Sequence, residues 1–289
     1  MRCATCDGET SPRASDCSTC GTPVGAPPVN PEVPIRSVRG IGLAASVAVA
    51  ATTLCYLLVS LTALVGRSMA ERAARTEDQD MLLVAGFVEL AASIPYLIAY
   101  LTAVVLVIVW TYRVRMNLDA FPGSAPGLGA GWAIGGWLVP LVNLVLPYRV
   151  VADVTRASVW RPGTGRLVGV WWAAWLVFLV SEWWTERASE REFEQLPAYP
   201  TIRREFLDYA DQYSAALNRS ILPMVACVVA GATLVVVIRR VSAAQQARID
   251  RGGPAGPLAP GTVVPYPVTP GTTVPSPMTS PGADGTIRA

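Results

Sequence analysis

Residues 131–148 read GWAIGGWLVPLVNLVLPY. As a helix this uncharged stretch comes close to one bilayer thickness, because about 20 apolar residues cross the hydrocarbon. It also holds Gly131, Gly135, Gly136, Pro140, Asn143 and Pro147, which weaken and bend a helix. It therefore reads either as a fifth crossing or as a re-entrant segment that enters the bilayer and returns. In both cases its neighbours must be helices, since lipid offers no partner to an open sheet edge.

Four cleaner apolar stretches surround it, at 41–65, 92–112, 166–184 and 220–238. The expected fold is an all-α, multi-pass transmembrane helical bundle. Charge placement separates the two readings of 131–148. All 23 basic residues are Arg. With a cytoplasmic N-terminus and a re-entrant 131–148, twelve Arg flank the inner side of the helical region and eight the outer. With a fifth crossing the balance becomes nine against eleven. The positive-inside rule favours four spans plus a re-entrant segment, with both termini in the cytoplasm of a plasma-membrane protein.

Composition agrees. The chain is 52% hydrophobic and 15% charged, against about a quarter charged in soluble domains. A net charge of +2 gives no electrostatic footprint for nucleic acid. No cleavable leader is expected, since the first 40 residues lack an apolar run. Polar helix-forming segments at 67–89 and 181–219 read as continuations of the spans beyond the membrane, with Pro95 kinking the second. Residues 22–39 are a Pro-rich linker expected to act as a semi-rigid spacer. Residues 251–289, rich in Pro, Gly and Thr, read as a disordered tail. Trp clusters at the ends of the spans, Trp171, Trp172 and Trp175 inside and Trp183 and Trp184 outside, are expected to form interfacial belts.

The chemistry-bearing motif lies in residues 1–21: Cys3-x2-Cys6-x10-Cys17-x2-Cys20. Each Cys-x2-Cys turn aims two thiolates at one point, and two such turns complete a tetrahedral structural zinc site. Asp7-Gly8 and Gly21 follow the turns and let the backbone fold round the metal. Disulfides are the competing reading and need an oxidising compartment, which conflicts with a cytoplasmic N-terminus. The arrangement resembles the short zinc ribbons that precede many bacterial membrane domains. Cys55 and Cys227 read as small apolar packing residues.

A second pattern carries a wider resemblance. It runs from Trp110 and Asn117 through Trp137, Pro140, Asn143, Pro147, Tyr148 and Asp153, then Arg156, Ser158, Gln245 and Arg248. Over about residues 40–250 the chain resembles an actinobacterial membrane family known as domain of unknown function 4328. The resemblance implies a membrane location and a helical fold, and no reaction. Physically, Pro140 frees a carbonyl, and Asn143 is placed to bond exposed backbone. The segment reads as a packed kink, a hinge or a small ligand site, with Trp132 and Trp137 as candidate pocket walls.

No catalytic set emerges. The chain has no His, no phosphate-binding Gly-rich loop and no nucleophile elbow, and no acid pair is expected in the membrane. An interaction, regulatory or sensing membrane protein is therefore expected rather than an enzyme, touching lipid and contacting protein partners through the ribbon or the tail. A small transporter using 131–148 is the alternative.

Overall fold

The computed structural model describes residues 1–124, 126–160 and 163–252. Most of the tail expected over 251–289, and Arg161, lie outside these residues. Among the described residues the regular secondary structure is helical, beside two isolated bridges, Arg2 with Glu9 and Asp16 with Pro23. The helices are α1 (Arg39–Thr76), α2 (Asp80–Leu118), α3 (Trp132–Leu138), α4 (Leu146–Ser158), α5 (Thr164–Phe193) and α6 (Arg203–Gly252), with one 3-10 turn at Val142–Leu144.

Four of these, α1, α2, α5 and α6, are long and apolar enough to cross a membrane. They are also longer than a membrane needs. At 1.5 Å per residue the 38 residues of α1 reach about 57 Å and the 50 of α6 about 75 Å, against roughly 30 Å of hydrocarbon. Residues 239–252 of α6 extend it at one end, and the polar segments at 67–89 and 181–219 supply the excess at the other. They extend the spans, broken by a turn at 77–79 and by the Pro197–Pro200 corner. At this end Ala70, Ala73 and Ala74 of α1 pack against Phe206, Tyr209 and Ala210 of α6, with Leu82 of α2 and Leu196 closing the sides. Gly66 permits the approach, because a Cβ there would stand 2.5 Å from Tyr213 Cε1. Arg219 grips Glu192 through two bonds of 2.7 and 2.8 Å.

Across the apolar layer, α1 packs on both α2 and α6, and α6 also packs on α5. Close approach follows from small residues, as membrane interfaces require. Gly42, Ala45 and Ala48 of α1 are buried with Ala230, Val237 and Val241 of α6, and a side chain at Gly42 would collide with Ser242. The outward faces stay apolar: Leu97, Ile98, Leu101 and Val105 of α2 are all more than half exposed, as a lipid-facing surface should be. α2 runs unbroken through Pro95.

α2 and α5 share no packed interface. The gap between their ribbon-side halves is filled by the 131–148 segment. α3 enters, the chain reverses through residues 139–145, and α4 leads back, packing on α2, α5 and α6. The segment is thus a helical hairpin, and the reading with four spans and a re-entrant element describes it. The reversal hinges on Pro140, which starts a turn closed by Val142 N–H donating to its carbonyl at 2.8 Å. This forces Leu141 to φ 65°, a left-handed conformation disfavoured for a side chain with a Cβ.

Candidate metal centre and the buried network beneath it

The ribbon is built from two matching turns. Asp7 N–H donates to Cys3 O and Gly21 N–H to Cys17 O, at 2.9 and 2.8 Å. The left-handed residue after each turn is Asp7 (φ 60°) and Gly21 (φ 68°). Gly8, expected to supply that freedom in the first turn, has another role: a Cβ there would meet Thr19 Oγ1 at 3.1 Å and Cys6 Sγ at 3.2 Å. Asp accepts the left-handed region more readily than most residues, which leaves Gly8 free to bring the two turns together.

The four sulfurs of Cys3, Cys6, Cys17 and Cys20 all lie within 4.8 Å of one another. Cys3 Sγ is 3.6 Å from Cys20 Sγ, and Cys6 Sγ is 3.7 Å from Cys17 Sγ. A tetrahedron of thiolates at ~2.3 Å from a central ion has edges of about 3.8 Å, so the donor set fits one metal ion. Local fields are uneven. Backbone N–H groups of Cys20 and Thr19 hold the Cys17 thiol down to about 6. Burial pushes Cys6 up to about 12 and raises Cys20. A bound cation would displace those protons.

The ribbon is fastened to the helices. Arg251 of α6 donates to the carbonyls of Ala4 and Thr5 at 2.9 and 2.7 Å. Arg248 donates to Pro28 O at 2.6 Å and Pro122 O at 3.2 Å, with its guanidinium 4.2 Å above the Phe121 ring. The linker is correspondingly not the spacer its prolines suggested. Val29 and Val38 are 6% and 0% exposed, within the main core, with Val33 and Ile35 packed against it. Asn30 N–H donates to Ala120 O at 2.8 Å. Apolar side chains between the prolines found a surface to bury, and that outweighed the stiffness of the prolines.

Beneath the linker lies a fully buried polar network. The Asn117 amide accepts from Arg36 N–H at 3.0 Å and donates to Arg36 O at 2.9 Å, gripping the linker backbone like a strand partner. It also donates to Gln245 Oε1 at 3.3 Å. Gln245, 1% exposed, donates to Val114 O and to Ser158 Oγ, both at 3.0 Å. One turn deeper, Trp110 Nε1 donates to Ser242 Oγ at 2.9 Å. α2, α4, α6 and the linker thus meet through side chains of Trp110, Asn117, Ser158, Ser242 and Gln245. Ser242 escaped notice in the sequence because a lone Ser beside an apolar span carries no pattern.

The remaining motif residues are elsewhere. Pro147 is buried in the first turn of α4, where a missing N–H costs nothing. Tyr148 lies 6.5 Å from Trp172, ring to ring. Asp153 pairs with Arg156 one turn on. Asn143 does not bond the backbone freed by Pro140. Within the same hairpin the Leu144 carbonyl accepts from Trp172 Nε1 at 3.2 Å. Asn143 and Trp137 line a cavity together with Trp171 and Trp175, and Trp132 takes no part in it. The Trp137 indole nitrogen is buried without a partner among the described residues. The inner Trp belt is also corrected: Trp171 and Trp172 are core residues, 2% and 7% exposed, whereas Trp183 and Trp184 are exposed as a belt requires.

One ionisable group sits deeper than expected. Tyr56, nine residues inside the outer end of the 41–65 stretch, donates to Glu182 Oε2 at 2.6 Å. Tyr56 also touches Tyr96 and Phe178, with ring centroids 5.8 and 5.1 Å away. The Ser-Glu-Trp-Trp run at 181–184 had read as the edge of the span, yet helix packing draws its carboxylate inward to a tyrosine.

No curated protein and no solved structure matches the chain. A family model does, over residues 73–246. The match begins at the end of α1 far from the ribbon and ends one residue past Gln245, so the ribbon, the linker and most of α1 fall outside it, a shorter reach than the 40–250 expected. It contains Trp110, Asn117, Ser158, Ser242 and Gln245, the side chains of the buried network. The chain belongs to the family described as Domain of unknown function (DUF4328).

Proposed function

We propose that this protein is a non-enzymatic interaction or sensing protein of the plasma membrane, in which a zinc-loaded cytoplasmic ribbon reports to, or is read by, the helical bundle. The observation that carries this reading is the fastening of the ribbon: Arg251 holds the first cysteine turn by two carbonyls, and Arg248 holds the linker. A ribbon tied in this way cannot change shape without disturbing the ribbon-side ends of α2 and α6. Four thiolates leave a metal no open position for substrate, which suits a structural or docking role. Zinc is the ion proposed, as one that an all-sulfur tetrahedral donor set suits. Both termini are assigned to the cytoplasm on the Arg count, and protein partners to the ribbon or the tail, with no nucleic acid involved.

The test uses the full-length chain and its Cys17→Ser variant in membranes. Metal analysis should give one zinc per wild-type chain and a large loss in the variant. Proximity labelling from the C-terminus should show protein neighbours that depend on the loaded ribbon. Identical neighbours for both chains, with the variant still inserted, would defeat the proposal. A transporter is the second reading, favoured by the place of Asn143 on the floor of an intramembrane cavity. It predicts altered solute flux or growth for Asn143→Leu, and unchanged flux refutes it.

A further inference from the structure

Independently of the ribbon, we infer that the gap between α2 and α5 is a binding site for the end of a hydrocarbon chain from a bilayer lipid. A cavity of about 200 Å³ lies there, walled by α1, α2, α5 and α6. Its floor is the tip of the re-entrant hairpin, Trp137 and Asn143. Its opposite end is the aromatic shelf of Tyr96 and Phe178, which close round Tyr56. The Tyr96 and Phe178 end and the side walls belong to the four membrane-length helices, and the hairpin tip lies between those helices, so the cavity lies at the depth of the lipid tails. Its hairpin and aromatic ends bound it along the helices, whereas α2 and α5 do not pack together to close its side. Leu138, one of its lining residues, is 68% exposed.

The wall chemistry selects the occupant. Val49, Ala103, Val107 and Leu234 present hydrocarbon, and Trp171 and Trp175 present ring faces. Thr52 and Thr53 return their hydroxyls to Ala48 O and Val49 O at 2.9 and 3.0 Å, leaving their methyl groups for the wall. An engineered apolar cavity of about 150 Å³ stays dry and takes up benzene. A somewhat larger one that opens onto lipid tails is filled by a tail rather than by water. The chain end wedges between α2 and α5 and rests on the hairpin tip, so lipid completes a bundle interface the protein leaves unmade.

The experiment reconstitutes the full-length protein in bilayers doped with a phospholipid carrying a diazirine at the end of one acyl chain. Irradiation and peptide mapping should place adducts on cavity side chains such as Thr52, Tyr100 and Trp175, besides the lipid-facing Leu97 and Leu101. Ala103→Phe, which fills the cavity from α2, should lower the cavity adducts by about tenfold, one decade of binding, and leave those at Leu97 and Leu101 unchanged. Adducts confined to Leu97, Leu101 and similar outward residues of the wild-type protein would overturn the inference without reference to any variant. Cavity adducts undiminished in a folded Ala103→Phe protein would do the same.

Discussion

Replacing Asn117 by Leu removes the grip on the linker while keeping nearly the same volume. Three hydrogen bonds are lost, two to the Arg36 backbone and one to Gln245. Arg36 is exposed, so water can take over its N–H and carbonyl, and those two bonds cost only their net value. Gln245 is different. Its Oε1 faces a site 1% exposed and is left unpaired, which costs about 1–3 kcal/mol against ~1 for an ordinary bond. The expected loss is therefore about 3–5 kcal/mol. For a chain of this size that lowers the melting midpoint by roughly 5–10 °C, read in detergent by the fluorescence of the buried Trp residues. Trypsin cleavage after Arg36 should speed up in parallel, because the clasp holds that segment down. Adding Gln245→Leu replaces both partners by apolar groups, so the double variant should lose less than the sum of the singles. An Asn117→Leu protein that melts with wild type and is cut no faster at Arg36 would refute the claim that this network anchors the linker.

Chelation of the purified protein should open residues 1–21 to protease first, since a module of this size has no core without its metal, and the release should extend to the Arg251 contacts. Gly66→Val drives a methyl group into Tyr213 and should destabilise the helical head far from the ribbon by about 1–3 kcal/mol, seen as earlier proteolysis between 194 and 202. Trp172→Phe keeps the packing and strips the bond to Leu144 O, costing about 1 kcal/mol in thermal unfolding. Replacing the exposed Glu190 or Ala247 by Cys, with Cys55 and Cys227 removed, tests topology: an impermeant thiol reagent applied to intact cells should label the first and spare the second, and the reverse would invert the assigned orientation.

The architecture was legible because lipid leaves little choice. Long uncharged stretches must be helices, and Arg placement on either side of 131–148 distinguished a hairpin from a crossing before any contact was known. The polar extensions were readable too, since helix-forming residues continue each span without a breaker until Glu77 and Pro197. Depth was harder. Hydropathy along one helix says nothing of how far its neighbour is displaced along the membrane normal, so Glu182 read as a boundary residue and only packing against Tyr56 showed it deeper. The Trp residues were misjudged for a related reason. Indole suits both a headgroup belt and a core with one acceptor, and the choice depends on whether another helix covers that face.

The four cysteines were legible because this ribbon draws all its ligands from two short Cys-x2-Cys turns, and their spacing alone encodes them. The network beneath them was not, because Asn117 and Gln245 are separated by more than a hundred residues and their partners are mostly backbone. A side chain that pairs with a carbonyl leaves no complementary residue to find. The same logic explains the error at the hairpin. Asn143 stood three residues from the break and looked like its remedy, yet its side chain makes no hydrogen bond to backbone among the described residues; the side chain that does bond the hairpin backbone is Trp172, 28 residues past the Leu144 carbonyl it reaches. The indole reaches it because α5 lies against the returning arm of the hairpin. The Asn143 amide lines the cavity instead, so nearness in sequence to the proline did not foretell what that side chain would face.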